Sequence, residues 1–471
     1  MNPRTGRAAA RLLGCLAILG VTCTGARPAS SRVPPRAHLV RTAAVLHASA
    51  AEAEPQGREV FHTVEKGESW QSIAEAYVDR TSVWDAADLA GAIAEDNHGS
   101  IKHAPAAGAR LRIPHVLAHP NRIERIGIPD DGVIKGIYVR GSTGAGRGFP
   151  HLLDRVVAHG MNAIVLDVKD YDGKLTYPSK VPLAVESGAV DHPPMRTYAR
   201  AVRFAHERGV RVIARISCFN DQLMAKAHPG MAIRGVSGHP YRNGWLDPKN
   251  ERAQDYVIDL AKEAIAAGAD EIQLDYVRFP VTGMKNIDFG LDTRKDPRAK
   301  VDVITRFVER VHGVTKAHGV PLSLDVFGVI AFGRADDIQN LGQDPAVLGR
   351  HAEFLSAMVY PSHYDDGFMG YEHPGDHPEL VGLGVKHMIA EMDRDEGEHH
   401  AKIRPWLQAM RHNTTNYGAA YIQDEIRTGD HAGGKGWLLW NPGQVYDVAW
   451  SALPAHPGAN AKLAVARHMT R

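Results

Sequence analysis

The sequence has few cysteines and almost no net charge. Its 471 residues include three cysteines, and 55 Lys and Arg residues against 54 Asp and Glu residues leave a formal net charge of +1. Such a chain has no overall field that would attract nucleic acid or an anionic membrane surface. We therefore expect no nucleic-acid partner, and neutral substrates are favoured. A hydrophobic fraction of 44% is ample for a core and excludes a disordered or fibrous protein.

The sequence also lacks a hydrophobic run that could cross a bilayer, so no transmembrane span is expected. The run from Leu12 to Cys23 has about half the required length. It follows several arginines and precedes small residues ending at Ala26, which is the pattern of a secretory signal peptide over 1–26. This pattern predicts export to the periplasm, the cell envelope or the extracellular space. Leu12 to Cys15 resembles a lipobox, which leaves open anchoring as a lipoprotein.

Cleavage after Ala26 would remove Cys15 and Cys23, so that only Cys218 remains and no internal disulfide can form. An exported chain without disulfides must be stabilised by its core, which suits a large domain better than a small stapled one. Cys218 follows an apolar, β-like run, and we expect it to pack in that core rather than to act as a nucleophile.

Two segments precede the main domain. Residues 27–57 are rich in Ala, Pro and Arg, which indicates an exposed linker. Residues 58–116 show the order strand, helix, helix, strand. This segment resembles a LysM module, a small α+β domain, in the motifs Thr63-Val64, Gly67-Glu68-Ser69, Ile73-Ala74, Asn97, Gly108 and Leu111-Arg112-Ile113-Pro114.

The LysM resemblance implies binding of a GlcNAc-containing glycan such as peptidoglycan or chitin. The segment between the two helices and the stretch from Asn97 to Ala106 are longer than is usual in such modules. A small α/β spacer without a ligand is the alternative interpretation.

After a linker over 117–131, residues 132–455 repeat one theme eight times, an apolar β-rich run followed by a helical stretch, and a tail follows over 456–471. The runs span 133–139, 162–168, 211–217, 271–277, 320–327, 355–360, 403–408 and 436–441. Strands of this kind are parallel and covered by helices, so eight units predict a (β/α)8 TIM barrel. A doubly wound open sheet is the alternative. It is disfavoured because the Gly-rich loop after the first run lacks the acidic residue of a dinucleotide-binding fingerprint.

Polar side chains recur where the predicted strands end. In a (β/α)8 barrel the working residues stand at the carboxyl ends of the strands, on the face that the βα loops build. This rule selects Arg140, Asp167, Lys169, Asp170, Arg215, Ser217, Asp275, Arg278, Asp325, Tyr360, His363, Gln408, Trp440 and Asn441.

Two of these residues are carboxylates on neighbouring strands. The period of two aims Asp275 and Asp325 into the barrel mouth, and a buried carboxylate needs a partner or a chemical role. Paired carboxylates suit glycoside cleavage, in which one protonates the leaving oxygen and the other attacks C1 or activates water. The alternative for Asp275 is an ion pair with Arg278 or Arg215 that merely closes the barrel. Asp167 is a third candidate.

The barrel sequence resembles a bacterial family of glycosyl-hydrolase domains. The motifs are KGIYVRG (135–141), AIVLDVKD (163–170), WLDPKNERAQDYVIDLAKEA (245–264), DEIQLDYVRFP (270–280), SLDVFG (323–328) and MVYPSHY (358–364). The resemblance implies a (β/α)8 barrel with glycosidase activity and with Asp275 at the position of a catalytic carboxylate. Its partner acid comes from the fifth strand in some relatives, which gives Asp325, and from the sixth in others, where Tyr360 and His363 stand here.

We therefore predict a glycosidase without a cofactor or metal that acts on a cell-wall or extracellular polysaccharide. Its predicted catalytic residues are Asp275, Asp325 and Asp167. Its predicted substrate-binding residues are Arg140, Lys169, Arg215, Arg278, Tyr360, His363, Gln408, Trp440 and Asn441. A glycan-binding barrel without activity is one alternative. A metal-dependent hydrolase is the other, suggested by 26 histidines and the groups Glu372-His373, Asp376-His377 and Glu398-His399-His400.

Overall fold

The computed structural model describes residues 59–241, 244–394 and 401–455. The predicted signal peptide, the linker over 27–57 and the tail over 456–471 lie outside these ranges. Within them, no helix is both long and apolar enough to span a membrane.

The amino-terminal module consists of strand β1 (Val60–Thr63), helices α1 (Trp70–Tyr77) and α2 (Ala86–Asp96), and strand β2 (Arg110–Ile113). The strands pair antiparallel, with Val60 opposite Ile113. Ser69 begins α1 as a capping residue, and Trp70, Ile73, Leu89 and Ile93 bury the inner helix faces in a core of their own. The predicted strand–helix–helix–strand order is thus present.

The second domain is a closed barrel of parallel strands. The ring follows the order of β3 (Ile134–Val139), β4 (Ala163–Lys169), β5 (Arg211–Ser217), β7 (Glu271–Asp275), β9 (Leu322–Phe327), β10 (Phe354–Met358), β12 (Trp406–Gln408) and β13 (Gly436–Trp440). Pairing of β13 with β3 and of β10 with β9 closes the ring. Short strands β6 (Arg234–Gly235) and β8 (Ile287–Asp288) pair outside the ring, and β11 (Lys402–Ile403) lies beside β10. The predicted barrel is therefore confirmed.

Helices surround the ring of strands. They are α3 (Gly141–Ala145), α4 (Phe149–Ala158), α5 (Pro182–Glu186), α6 (Tyr198–His206), α7 (Gln222–Ala227), α8 (Glu251–Ala266), α9 (Ala299–Ala317), α10 (Ala335–Leu341), α11 (Pro345–Leu348), α12 (Leu380–Met392), α13 (Ala419–His431) and α14 (Asp447–Ala452).

Successive side chains along each strand point to opposite faces of the sheet. The barrel therefore has two cores, one between strands and helices and one inside the ring of strands. Ile137 and Val139 of β3 face the helices and join the large core between strands and helices. Ile134 and Tyr138 of the same strand face inward and pack with Trp406 and other inward-facing side chains. The residues at the carboxyl ends of the strands that share this inward face form the floor of the barrel mouth.

The module packs against the barrel through the segment between α1 and α2. The ring of Trp84 lies 5.2 Å from that of Phe149 and 4.7 Å from that of Phe204, and its Nε1 donates to the Gly146 carbonyl at 2.9 Å. Arg200 donates to the carbonyls of Val83 and Trp84, each at 2.6 Å. The unusual length of this segment therefore serves the contact between the two domains.

Candidate active site

A chain of charged side chains crosses the barrel mouth from β4 to β7. Arg215 Nη1 donates to Asp167 Oδ1 at 2.6 Å, and Arg215 Nη2 donates to Asp275 Oδ2 at 2.7 Å. Tyr138 donates its phenolic proton to the other oxygen of Asp167 at 2.6 Å. One guanidinium thus holds two carboxylates, and the pairing of Asp275 with Arg215, left open by the sequence, is settled in the structure.

Asp275 ends β7 at an abrupt turn in the backbone. Tyr276 follows with a φ of +51°, in the left-handed region that a bulky residue rarely adopts, and β7 therefore ends earlier than predicted. The backbone N–H of Tyr276 donates to Asp275 Oδ1 at 2.6 Å. Both oxygens of Asp275 therefore accept hydrogen bonds, one from the Tyr276 N–H and the other from Arg215. At 8% exposure it is more accessible than Asp167 or Asp325.

Asp325 lies on β9 and is more deeply buried than Asp275. Burial, reinforced by the negative charge of Asp275, holds the pKa of Asp325 well above its usual range, although the hydrogen bond from Trp406 and the charge of Arg215 oppose this. Trp406 Nε1 donates to its Oδ1 at 2.7 Å. Among the described residues no hydrogen bond to the other oxygen, Oδ2, is found. Asp325 therefore favours its protonated form more strongly than an exposed carboxyl group does.

Asp167 is the most deeply placed of the three carboxylates. Burial, opposed by the charge of Arg215 and by the Tyr138 hydrogen bond, raises the pKa of Asp167 to about 7. It is completely buried, and both oxygens are occupied by Arg215 and Tyr138. This arrangement suits a residue that orients Arg215 rather than one that touches a substrate.

Aromatic rings line the mouth above Arg215. Trp440 is half-buried at the end of β13, with its ring 4.3 Å from that of Tyr138 and 5.7 Å from that of Trp406. The Arg215 guanidinium lies 5.6 Å from the centre of the Trp440 ring. Trp440 therefore offers a ring on which a sugar could stack. Tyr138 and Trp406 were not among the predicted site residues, although the period of two places both on the inward face.

Other predicted rim residues are held by the loops around the mouth. Tyr360 is nearly buried, and its ring lies 5.1 Å from that of His363. Gln408 donates to two loop carbonyls and keeps a buried oxygen without a partner. Asn441 donates to the carbonyls of Ala409 and Val445, so its amide fixes the loop. Arg140 begins the loop after β3 and donates to the Pro442 carbonyl at 3.0 Å.

Lys169 does not reach the mouth. The register between β4 and β5 shifts between Asp167 and Lys169, which removes Lys169 from the face of Asp167 that a regular strand would give it. Its ammonium is fully buried, 2.6 Å from Asp221 Oδ2 and 4.9 Å from the ring centre of Tyr256 on α8. The predicted substrate contact is wrong for this residue, which instead joins the strands to the helices. Cys218 is buried beside it.

The histidine groups that suggested a metal site are spread out. Asp376 accepts from the backbone N–H and the hydroxyl of Thr415, while His377 contacts Glu379. The group Glu398-His399-His400 lies outside the described residues. Across the parts of the chain that the structure describes, no group of three or more His, Cys, Asp or Glu side chains could hold a metal ion.

Comparison with known proteins gives a family match. A model described as "Putative glycosyl hydrolase domain" matches residues 136–446, which cover nearly the whole barrel. No curated protein matches the chain. The predicted resemblance to glycosyl-hydrolase domains is therefore confirmed.

Several solved structures are similar to the chain. A hypothetical protein from Ruminiclostridium thermocellum is 32% identical, with 40% of this chain and 97% of that chain covered and a TM-score of 0.36. The PgaB (BpsB) glycoside hydrolase domain from Bordetella bronchiseptica is 14% identical, with 70% and 97% covered and a TM-score of 0.48. The spore cortex-lytic enzyme SleL from Bacillus megaterium is 13% identical, with 83% and 85% covered and a TM-score of 0.40.

Proposed function

The chain belongs to the glycosyl hydrolase domain family whose model spans its barrel, and from this premise we propose that it is an exported glycosidase acting on a cell-wall or extracellular polysaccharide. Asp275 serves as the nucleophile or general base, and Asp325 serves as the general acid. The observation that carries this assignment is the contrast between the two carboxylates. Arg215 and the Tyr276 N–H donate to the two oxygens of Asp275, whereas Asp325 accepts from Trp406 and burial holds its pKa well above the usual range.

The two environments match the two halves of glycoside cleavage, in which one carboxyl group gives a proton and the other acts as the nucleophile or base. Asp325 gives its proton to the glycosidic oxygen as the bond from that oxygen to C1 breaks. Asp275 either attacks C1 to form a glycosyl ester, which water then hydrolyses, or takes a proton from the water that attacks C1. Proton NMR of the first product distinguishes these routes, because the ester route retains the anomeric configuration and the direct route inverts it.

The remaining mouth residues support binding of a sugar. Trp440 offers a stacking face, and Arg140, Tyr360, His363 and Gln408 supply hydrogen-bonding groups at or after the ends of other strands. Arg215 and Asp167 orient Asp275. A charge network of this kind fixes the position of the reacting carboxylate before the substrate arrives, which lowers the barrier to reaction.

The LysM-like module extends the proposal to substrate capture. A module that binds GlcNAc-containing glycan such as peptidoglycan or chitin would hold the barrel on the polymer and raise the local substrate concentration. Its independent core supports testing it alone. We expect residues 58–116 to be retained on insoluble peptidoglycan or chitin, and recovery entirely in the unbound fraction would leave the module as a spacer.

The test of the catalytic assignment uses purified protein and a panel of peptidoglycan, chitin and exopolysaccharides. We expect Asp275→Asn and Asp325→Asn each to lower kcat by about a thousandfold or more, because each removes one half of the acid–base pair. Asp154→Asn is the control, since Asp154 is also a buried carboxylate in an ion pair, with Arg208 at 2.8 Å on the helix layer. Full activity of Asp275→Asn would overturn the assignment. Binding without hydrolysis by the unmodified chain would instead favour a glycan-binding barrel.

A further inference from the structure

Arg278 is a cation in the barrel mouth without a carboxylate partner. It is only 8% exposed, and its guanidinium lies 4.3 Å from the ring centre of Phe327 and 4.7 Å from that of Trp245. Its one hydrogen bond within the described residues runs to the carbonyl of the adjacent Phe279 at 3.0 Å. No ion pair of Arg278 is found in those ranges. Burial of a cation without a counter-charge is costly, and contacts with ring faces offset only part of this cost.

The position of Arg278 places it at the proposed site. It follows Asp275 by three residues, and the rings around it come from the end of β9, from Tyr276 and from the connection after β5. All of these belong to the mouth side of the barrel. Burial lowers the pKa of Arg278 to about 10, so that it still carries its charge at neutral pH.

Three carboxylates of the mouth contact groups other than Arg278. Asp167 is bound by Arg215 and Tyr138, and Asp275 is bound by Arg215 and the Tyr276 N–H. Asp325 accepts from Trp406 Nε1, and burial holds its pKa well above the usual range. None of these three carboxylates is therefore paired with Arg278.

A second guanidinium shows the same feature on the other side of the ring of strands. Arg140 follows β3, which lies opposite β9, and among the described residues it has no carboxylate partner. Its Nε is buried without a hydrogen-bond partner. Two cations that form no ion pair among the described residues thus flank the mouth, and binding of a neutral glycan would not require them.

We propose that Arg278, assisted by Arg140, recognises an anionic substituent of the glycan, a carboxylate or a phosphate, so that the substrate class is an acidic rather than a neutral polysaccharide. This inference rests on the proposed function and narrows it. It also revises the expectation of a neutral substrate that the near-zero net charge suggested, because the charge that recognises a substituent is local to the mouth.

The experiment compares acidic glycans with neutral counterparts of the same backbone. One pair is peptidoglycan strands stripped of their stem peptides, which carry free lactyl carboxylates, and the same strands after carboxyl reduction. The other pair is GlcNAc oligosaccharides with and without a 6-phosphate. We expect kcat/KM of the unmodified chain to be at least tenfold higher on the acidic member of one pair, and the pair that shows it identifies the substituent. A ratio near one for both pairs would overturn the inference.

Variants of Arg278 separate recognition from packing. Arg278→Met keeps an apolar chain between the rings and should bring the acidic-to-neutral ratio close to one. Arg310→Met, which removes a surface arginine paired with Asp255 on the helix layer, is the control and should leave the ratio unchanged. A wild-type ratio in Arg278→Met would contradict the proposal. If circular dichroism shows that Arg278→Met is unfolded, Arg278→Lys decides, because loss of the planar fork should lower the ratio several-fold.

The two proposals fail in different ways. Hydrolysis of neutral and acidic glycans at equal rates would leave the glycosidase standing and remove the role of Arg278. Absence of hydrolysis on every probe would remove the glycosidase. Calorimetric titration of the unmodified chain with the same oligosaccharides would then still decide whether the mouth prefers the anionic form.

Discussion

The hydrogen bond between Trp406 and Asp325 tunes the proposed general acid. An indole N–H that donates to a carboxylate stabilises its ionised form and lowers its pKa, and here it opposes the larger effect of burial. Trp406→Phe removes the donor and keeps a ring. We expect the pKa of Asp325 to rise further, so that the alkaline limb of the kcat/KM profile moves to higher pH. A limb that stays in place or moves to lower pH would show that Asp325 is not the acid.

The direction of a side chain could be predicted from the sequence where its strand is regular. The period of two predicted that Asp275 and Asp325 face inward, and in the structure they contact Arg215 and Trp406 inside the ring of strands. Lys169 was selected by its position at a strand end, and the register shift that removes it from the mouth cannot be seen in a pattern of apolar residues. The choice of Arg215 over Arg278 as the partner of Asp275 depends on three-dimensional placement, which no sequence spacing encodes.

Two strands end at positions that the pattern of apolar residues does not predict. The seventh predicted run, 403–408, appears as β11 and β12 with Arg404 and Pro405 between them, since proline has no N–H to contribute to a strand ladder. The fourth ends at Asp275 because Tyr276 turns into the left-handed region. The existence and order of all eight units was predictable, because helix and strand periods recur over the whole domain.

At the end of the barrel opposite the mouth, a buried ion pair joins neighbouring parts of the ring of strands. Glu271, the first residue of β7, accepts from Arg404 Nη2 at 2.5 Å, and Arg211 of β5 lies 3.7 Å away. Burial alone would raise the pKa of Glu271, but Arg404 and Arg211 outweigh it and hold the pKa below its usual value. The pair therefore contributes stability above the unfolded pKa, near 4.5, and loses that contribution as pH falls through the lower folded value.

Glu271→Gln tests this pair. It leaves two buried arginines without their counter-charge, and we expect the free energy of unfolding at pH 7 to fall by about 3–5 kcal/mol. Urea denaturation across pH should show the difference from the unmodified chain narrowing in acid. Glu309→Gln on the exposed face of α9 is the control, with an expected change within about 0.5 kcal/mol. A difference that is independent of pH would mean that lost packing, not charge, causes the effect.

The module lies against the side of the barrel. Its contacts include Gly146 and Phe149, at the end of the barrel where strands finish, and Phe204 in the second half of α6. The predicted linker over 117–131 runs to the other end, where Arg125 donates to the Ile265 carbonyl and Ile126 to Asp270. The division of the chain into these segments stays a prediction, and the sequence shows nothing of how the module is held.

Trp84 makes the main apolar contact of the module, because its ring packs against Phe149 and Phe204 while Arg200 lies 4.4 Å from its centre. Trp84→Ala should cost about 3 kcal/mol of stability, the low end for loss of a packed tryptophan because Trp84 is half-buried. Hydrogen exchange should then accelerate in residues 78–85 and 146–149 together, while the barrel strands keep their protection. Trp84→Phe retains the ring contacts and should show a smaller effect. Unchanged exchange on both sides of the contact would mean that other contacts hold the module on the barrel.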